Sequence, residues 1–347
     1  MAEQNRIEYL DVCKGIGILL VVAGHSLLDE MVAASWGYQF LFNVLYSFHM
    51  PLFMVLSGIV FRLKIDRNTA QPLRYLKGRT RSVLIPFLVY TVLLYLVFAA
   101  ANYLPGVGSV LQGSGRSLLS VKDYLVECVK GNNPYGIHMW FLYCLFVVSM
   151  LGLGLSMATK KLGKSARLAV FAALVLLLWI VRNALDIETV IIWKVMGVGG
   201  FFLLGVVWFD VQRLKGLPYV ILSALVWGYV LYCAYASIRG IEEPVWQKVL
   251  SSVLCCVCVD NLLRLSGKIK GKAKQVLAKL GRESFAIYLL HQPFCVVLGM
   301  LLLKLGLPFV PVSLICFAAS IAMPLAVKAV FSKFRPTRAF LRLLGMA

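Results

Sequence analysis

Long apolar runs, separated by short basic or Gly-rich segments, follow one another from residue 16 to residue 331. Each is close to the ~20 residues that a helix needs to cross a bilayer core. Ten can be placed, at 13–32, 39–61, 83–101, 139–157, 167–185, 190–209, 217–236, 245–263, 283–303 and 309–331. The runs are continuous rather than alternating, and about twice the length of a barrel strand, which excludes spanning β-strands. The pattern predicts an all-α, polytopic membrane helix bundle. The opening MAEQNRIEYLD is mixed in charge and no small-residue cleavage site follows the first run. That run therefore reads as a retained first helix and not as a signal peptide.

Composition agrees with the pattern. Hydrophobic residues make up 61% of the chain, charged residues 14%, and mean hydropathy is +0.84. A soluble domain is roughly half apolar and a quarter charged. The net charge of +20 raises the question of nucleic acid, which a basic protein can attract. Its distribution answers that question. With the N-terminus inside, 27 of the 35 Lys and Arg fall on inner segments. The 8 outer ones are Arg116, Lys122, Lys130, Arg182, Lys194, Arg239, Lys248 and Lys304. This is the bias of any polytopic membrane protein. It places both termini in the cytoplasm and leaves no reason to expect a nucleic-acid partner.

Of the nine cysteines, only Cys128 lies in an outer loop; the others fall in or at the ends of predicted helices. Cys255-Cys256-Val257-Cys258 lacks the paired spacing of a zinc site and has no histidine nearby. These read as small, polarisable packing residues, and no metal is expected. No repeat, low-complexity tract or appended soluble domain interrupts the pattern, so 1–347 reads as a single integral-membrane domain. The outer segment 102–138 is rich in Gly and Ser before YLVECVKGNNPYGIHMW, and reads as a short amphipathic or re-entrant piece over the bundle. The inner loop 264–282, with GKIKGKAKQVLAKLG, reads as a basic helix on the anionic inner leaflet.

One histidine interrupts the first run, LLVVAGHSLL. Ionisable groups inside spanning helices are expensive and usually mark function. Asp11, Lys14 and His25 are separated by 3 and 11 residues. Eleven steps of a helix turn roughly 1100°, about 20° past three full turns, so the three share one stripe. His25 lies about 16 Å beyond Lys14 along that helix. Other candidates sit in the second run, SFHMPLFMVLSG, with His49 two residues before a proline and Ser57 two turns on. Trp140 follows in HMWFL, and Tyr288 and His291 in ESFAIYLLHQPF. All four histidines of the chain fall in or beside membrane segments. For a lone membrane histidine, an interhelical hydrogen bond worth ~0.6 kcal/mol is an equal explanation. The alignment of His25 with Asp11 and Lys14 favours function.

These residues carry a resemblance. RIEYLDVCKGIGILLVVAGHS resembles helix 1 of the acyltransferase-3 family of membrane O-acyltransferases. FHMPLFMVLSG, HMWFL and SFAIYLLHQP resemble three further blocks, in the family's order, and KGRTRSVLIP resembles its basic entry to helix 3. The likeness runs from about residue 6 to 331. It is closest to the branch of fucose 4-O-acetylase-like and exopolysaccharide acetyltransferases. Two departures stand out. The family's helix 1 pairs an arginine with a histidine ten residues between them, where this chain has Lys14 and His25. Its paired arginines are often R-x-x-R, where this chain has Arg79-Thr80-Arg81.

The resemblance implies an O-acetyltransferase with coenzyme A thioester, most simply acetyl-CoA, as donor substrate and no permanently bound cofactor. It implies a carbohydrate or glycolipid acceptor and a place in the cytoplasmic (inner) cell membrane. O-acyl transfer must deprotonate a hydroxyl as it attacks a thioester carbonyl, and a histidine is the usual base. His25 takes that role, with Lys14 and Asp11 as an ion pair below it. Arg79, Arg81 and Lys14 would meet the donor phosphates. His49, Ser57, Trp140, Tyr288 and His291 would line the pocket. A transporter or flippase for a lipid-linked saccharide is the competing class. It fits ten helices, but matched interrupted helices in two halves are missing from the sequence.

Overall fold

The computed structural model describes residues 2–103, 117–185, 187, 189–210 and 214–346, with side chains from Glu8 onward. Arg116, Arg213 and the Gly/Ser stretch 104–116 lie outside the described residues. Among the described residues the chain is helix and connection, with no strand.

Among the described residues, nine helices are long and apolar enough to cross a membrane. They are α3 (Trp36–Arg62), the continuous rod Pro72–Asn102, the segment Ile137–Ala158, α9 (Lys164–Ala184), α10 (Val190–Val207), α11 (Gly216–Ile238), α12 (Val245–Lys268), α13 (Gly271–Lys304) and α14 (Phe309–Phe331). A short helix α4 (Ile65–Ala70) precedes the rod, which is α5 (Pro72–Arg79) joined to α6 (Ile85–Asn102) by a π turn at Thr80–Leu84. Ile137–Ala158 is a 3₁₀ turn leading into α8 (Trp140–Ala158). These correspond to nine of the ten expected spans.

The tenth expectation needs correcting. The run 13–32 is not one span. Helix α1 (Ala2–His25) starts in the polar N-terminal segment and stops at the histidine. A short helix α2 (Asp29–Ala34) then continues the track. The chain tightens at the break, where the Ser26 amide reaches Val22 O at 2.9 Å and Ala23 O at 3.2 Å. The carbonyl of His25, left without a helical partner, accepts the Cys295 thiol at 3.1 Å. Leu28 and Met31 pack with Cys295, Val312 and Cys316 in a small core beside the break.

The inner loop 264–282 also departs from expectation. Residues from Gly271 on are the first turns of α13, standing against α1 rather than lying on a leaflet. Glycine makes this approach possible. A Cβ on Gly281 would sit 1.8 Å from Asp11 O, and one on Gly15 2.0 Å from Leu277 O. A second backbone-to-backbone crossing joins α3 to α10, where a Cβ on Gly58 would lie 2.1 Å from Phe202 O. Small residues at helix crossings are how membrane bundles pack without a hydrophobic drive between helices. Outward faces carry Leu96, Leu177, Leu225, Val297 and Leu314, all exposed, as a lipid-facing surface requires.

Both ends of the described chain lie on one face. Glu8 pairs with Lys274 at 2.7 Å and Lys328 with Glu283 at 2.6 Å. After α14, α15 (Arg335–Leu343) turns back, bringing Gly345 against Phe285 and Pro86. The basic stretch 64–81 sits at the start of that same α6. This is the face that positive-inside bias assigns to the cytoplasm. On the other face the described part of 102–138 holds one short helix, α7 (Val121–Val129).

Candidate active site

Four helices bring the four histidines together. His25 ends α1, His49 sits in α3, His138 lies in the 3₁₀ turn before α8, and His291 is in α13. The His25 and His291 ring centroids are 4.9 Å apart, and those of His138 and His291 are 5.2 Å apart. Tyr46 stands between His25 and His49. Its hydroxyl is 3.4 Å from His25 Nδ1, and its ring centroid is 4.7 Å from that of His49.

Backbone carbonyls set the orientation of the rings. His49 Nδ1 donates to Leu45 O at 2.6 Å, and His291 Nδ1 donates to Tyr288 O at 2.8 Å and to Ile287 O at 3.1 Å. Both rings therefore leave Nε2 as the lone-pair nitrogen. His138 is held by Gln292 through Nδ1, and its own carbonyl accepts the Tyr288 hydroxyl. The Nε2 atoms of His138 and His291 are buried with no hydrogen-bond partner. A helix proline assists locally. Pro51 has no N–H, which frees the carbonyl of Ser47, and Cys255 donates to it at 3.4 Å.

Three cavities run in series from this cluster to the basic face. The outer one, about 620 Å³, is lined by His25, His49, His138, Trp140 and Tyr288, with Arg182 and Lys194 further out. The middle one, about 480 Å³, is lined by Asp11, Lys14, Ser57, Arg79, Arg282 and Tyr288. Val21, Met50 and Tyr288 belong to both and form the partition. The third is a groove of about 550 Å³ lined by Lys64, Arg67, Arg74, Lys77, Arg79 and Arg81. Val60 and Arg79 are shared between groove and middle cavity.

The sequence-derived residues therefore divide among these spaces. Asp11 and Lys14 pair at 3.3 Å, half-buried, in the middle cavity. They do not touch His25, as eleven residues of helix require. Arg79 lies at a junction: its guanidinium donates to Ser149 Oγ at 2.9 Å and to Tyr75 Oη at 3.2 Å. Arg81 is exposed on the groove rim. Two residues apart on a helix, the two arginines point to opposite sides, and Arg81 lies inside the π turn Thr80–Leu84. Ser57 faces the middle cavity while donating to Phe53 O at 2.8 Å. His49 and Trp140 face the outer cavity, and His291 stands behind His25 without lining any of these three cavities.

His138, Tyr46 and Gln292 were not among the residues singled out from sequence. His138 had a signal, the HM before WFL at the mouth of a span. Tyr46 and Gln292 had none beyond adjacency to His49 and His291. Among the described residues no group of His, Cys, Asp and Glu is arranged to hold a metal ion.

Residues 7–329 match the model of the acyltransferase-3 family, described as an acyltransferase domain. The nodulation protein NolL of Sinorhizobium fredii (strain NBRC 101917 / NGR234) is 34% identical over 125 residues, covering 35% of this chain and 33% of that protein. The match thus spans about a third of the relative's length. No solved structure matches the chain. With the family model covering nearly all of the bundle just described, this multi-pass membrane protein belongs to the acyltransferase-3 family.

Proposed function

We propose that this acyltransferase moves an acyl group, acetyl in the simplest case, from cytoplasmic acyl-CoA to a hydroxyl of an extracytoplasmic or lipid-linked carbohydrate, in the cytoplasmic membrane. The single observation that carries this reading is the series of three cavities. The groove presents six cations for the phosphates of the donor. Arginine there offers planar, bidentate donors that fit phosphate. The pantetheine arm follows the middle cavity past Lys14, Arg79 and Ser57. The thioester reaches the partition at Tyr288, on whose far side His25 lines the outer cavity. The acyl group crosses the bundle while the nucleotide stays at the basic face.

In this reading His25 is the general base. With the proton on Nδ1 directed to Tyr46 Oη, Nε2 is free to accept. The acceptor hydroxyl oxygen attacks the thioester carbonyl carbon as its proton passes to Nε2. The C–S bond then breaks, and the leaving thiolate takes up that proton from His25. The products are an ester on the carbohydrate and free CoA thiol. His49, Trp140 and Tyr288 shape the outer wall around the acceptor. His291 stands behind the ring of His25, and His138 packs on His291 in turn.

The test is detergent-purified protein supplied with acetyl-CoA and glycan extracted from the host. The expected result is thiol release that depends on acceptor, with acetyl esters appearing on the glycan. Glycan movement without thiol release would mark a transporter and overturn the reading. Comparing host glycans with and without the protein then identifies the hydroxyl.

A further inference from the structure

We infer that the acceptor is anionic, and that Arg182 and Lys194 at the outer end of the histidine cavity bind its negative charge. This rests on reading that cavity as the acceptor site.

Both cations line the cavity that holds His25. By sequence they were counted among the outer-segment charges. They lie inside the expected spans 167–185 and 190–209, and the structure places them in the helices α9 and α10. The Arg182 guanidinium is 3.8 Å from the Trp193 ring centroid, and the Lys194 ammonium is 5.1 Å from that of Trp140. The buried Nε of Arg182 has no hydrogen-bond partner. Lys194 makes one long bond, 3.4 Å, to Gly131 O. Among the described residues neither has a carboxylate within ion-pair distance. Glu243 lines the same cavity without pairing to either.

Most half-buried cations on the basic side of the bundle are treated differently; the exception, Arg79, is hydrogen-bonded to Ser149 and Tyr75 on the donor path. Lys14, Arg62, Arg167, Arg264 and Lys328 each have a carboxylate within 3.3 Å. A cation kept unpaired in a largely apolar cavity is costly. Stacking on tryptophan offsets part of that cost and holds the charge in place. It leaves N–H donors of both side chains available to a ligand in the cavity they line. Glycine keeps the space: a Cβ on Gly197 would lie 2.8 Å from Arg182 Nε. The two tryptophans also offer flat apolar faces beside the charges, suited to a sugar ring that carries an oxyanion. Two sources have that chemistry: the carboxylate of a uronic sugar and the phosphate of a lipid carrier.

The experiment is equilibrium binding of three radiolabelled probes to the purified protein: methyl glucoside, methyl glucuronide, and glucose linked to a short prenyl phosphate. At least one anionic probe should bind about tenfold or more tightly than the neutral glucoside, roughly 1.4 kcal/mol. Preference for the glucuronide alone identifies a sugar carboxylate, preference for the prenyl phosphate alone identifies the carrier, and preference for both identifies the shared oxyanion. Arg182→Gln and Lys194→Gln should each shrink the preference. Raising ionic strength should shrink it in the unmodified protein, which needs no variant to fold. Equal affinity for all three probes, or a preference unaffected by salt and by both substitutions, overturns the inference. Thiol release from acetyl-CoA by the same unmodified preparation reports the acyltransferase reading separately.

Discussion

Six cations line the groove at the basic face, and all come from one stretch, Lys64 to Arg81. The four histidines of the outer cluster come from four different helices. The groove is open and carries six charges, so removing one leaves five to attract an anion. The cluster is buried, and each ring is placed by contacts that no other residue duplicates. The groove supplies field, which is additive and screened by salt. The cluster supplies position, which is lost at once when one member moves. Substitutions should therefore act steeply in the cluster and shallowly in the groove.

The steepest effect belongs to His25. General-base catalysis contributes on the order of 10²–10⁴ in rate, so His25→Ala should lose transfer by about that factor. It should still insert and purify, because the break after α1 is tied down by backbone and by Cys295. Acceptor-dependent thiol release at near the normal rate would remove His25 from catalysis and place the cluster on the same footing as the groove.

The same contrast explains what the sequence made legible. Apolar run length located nine spans, because a bilayer imposes one length on every helix. The stripe Asp11–Lys14–His25 was readable because all three lie on one helix with a fixed period. The end of α1 at His25 was not readable. The apolar run continues through Leu27 and Leu28, and the stop depends on Cys295 and on packing against α14. The first turns of α13 looked like a surface helix because Gly281 signals a close crossing only when the facing backbone of α1 is known. His138 belongs to the cluster through His291 and Gln292, more than 150 residues away, and no local pattern carries such a pairing. Arg182 and Lys194 counted only as outer-side charges at the ends of the spans 167–185 and 190–209, and only the structure shows that tryptophans hold them in a cavity.

Next in size is a test of the scaffold that registers the cluster. Helices α1 and α13 carry His25 and His291, and they touch at Gly281. A methyl there would sit 1.8 Å from Asp11 O, so the two helices must part. Overpacking of this kind costs about 1–3 kcal/mol. Gly281→Ala should lower thermal stability in detergent by a corresponding shift and should reduce transfer through displacement of His25 from His291. Normal stability with normal transfer would show that the crossing is looser than its geometry.

The groove should respond unequally within itself. Arg79 joins groove to middle cavity and is fixed by Ser149 and Tyr75, whereas Arg81 is exposed on the rim. Arg79→Ala should raise the Michaelis constant for acetyl-CoA about tenfold, roughly the loss of one charge-assisted contact. Arg81→Ala should raise it by no more than about threefold, as an exposed charge in salt contributes little. Added salt should mimic both. Equal effects for the two arginines would mean that only net charge matters along the whole path, and an unchanged constant in both would leave the groove a topological device.

An effect smaller than that of Arg79 is expected where the two regions meet, at Lys14. Its ammonium is 3.3 Å from Asp11 Oδ1, and the pair is partly exposed to the middle cavity, with side-chain exposures of 32% and 16%. Arg79 and Arg282 line the same space, so the donor's path there keeps positive charge even without Lys14. Lys14→Met removes one cation and leaves the Asp11 carboxylate without its partner beside an anionic donor. Repulsion across a partly hydrated cavity is modest, and a partly exposed pair is itself worth ~1 kcal/mol or less. The expected result is a rise in the donor Michaelis constant of about threefold to fivefold, with little change in turnover. Lys14→Arg keeps the charge and can still reach Asp11, so it should stay near the unmodified protein. The comparison is made at equal protein in one detergent, with acetyl-CoA varied at saturating acceptor. If Lys14→Met falls in turnover and not in donor affinity, Lys14 acts on the cluster rather than on the path, and the boundary between field and position must be drawn below it. If Met and Arg are indistinguishable from lysine, the Asp11–Lys14 pair only joins two turns of α1, and the charge of the path begins at Arg79.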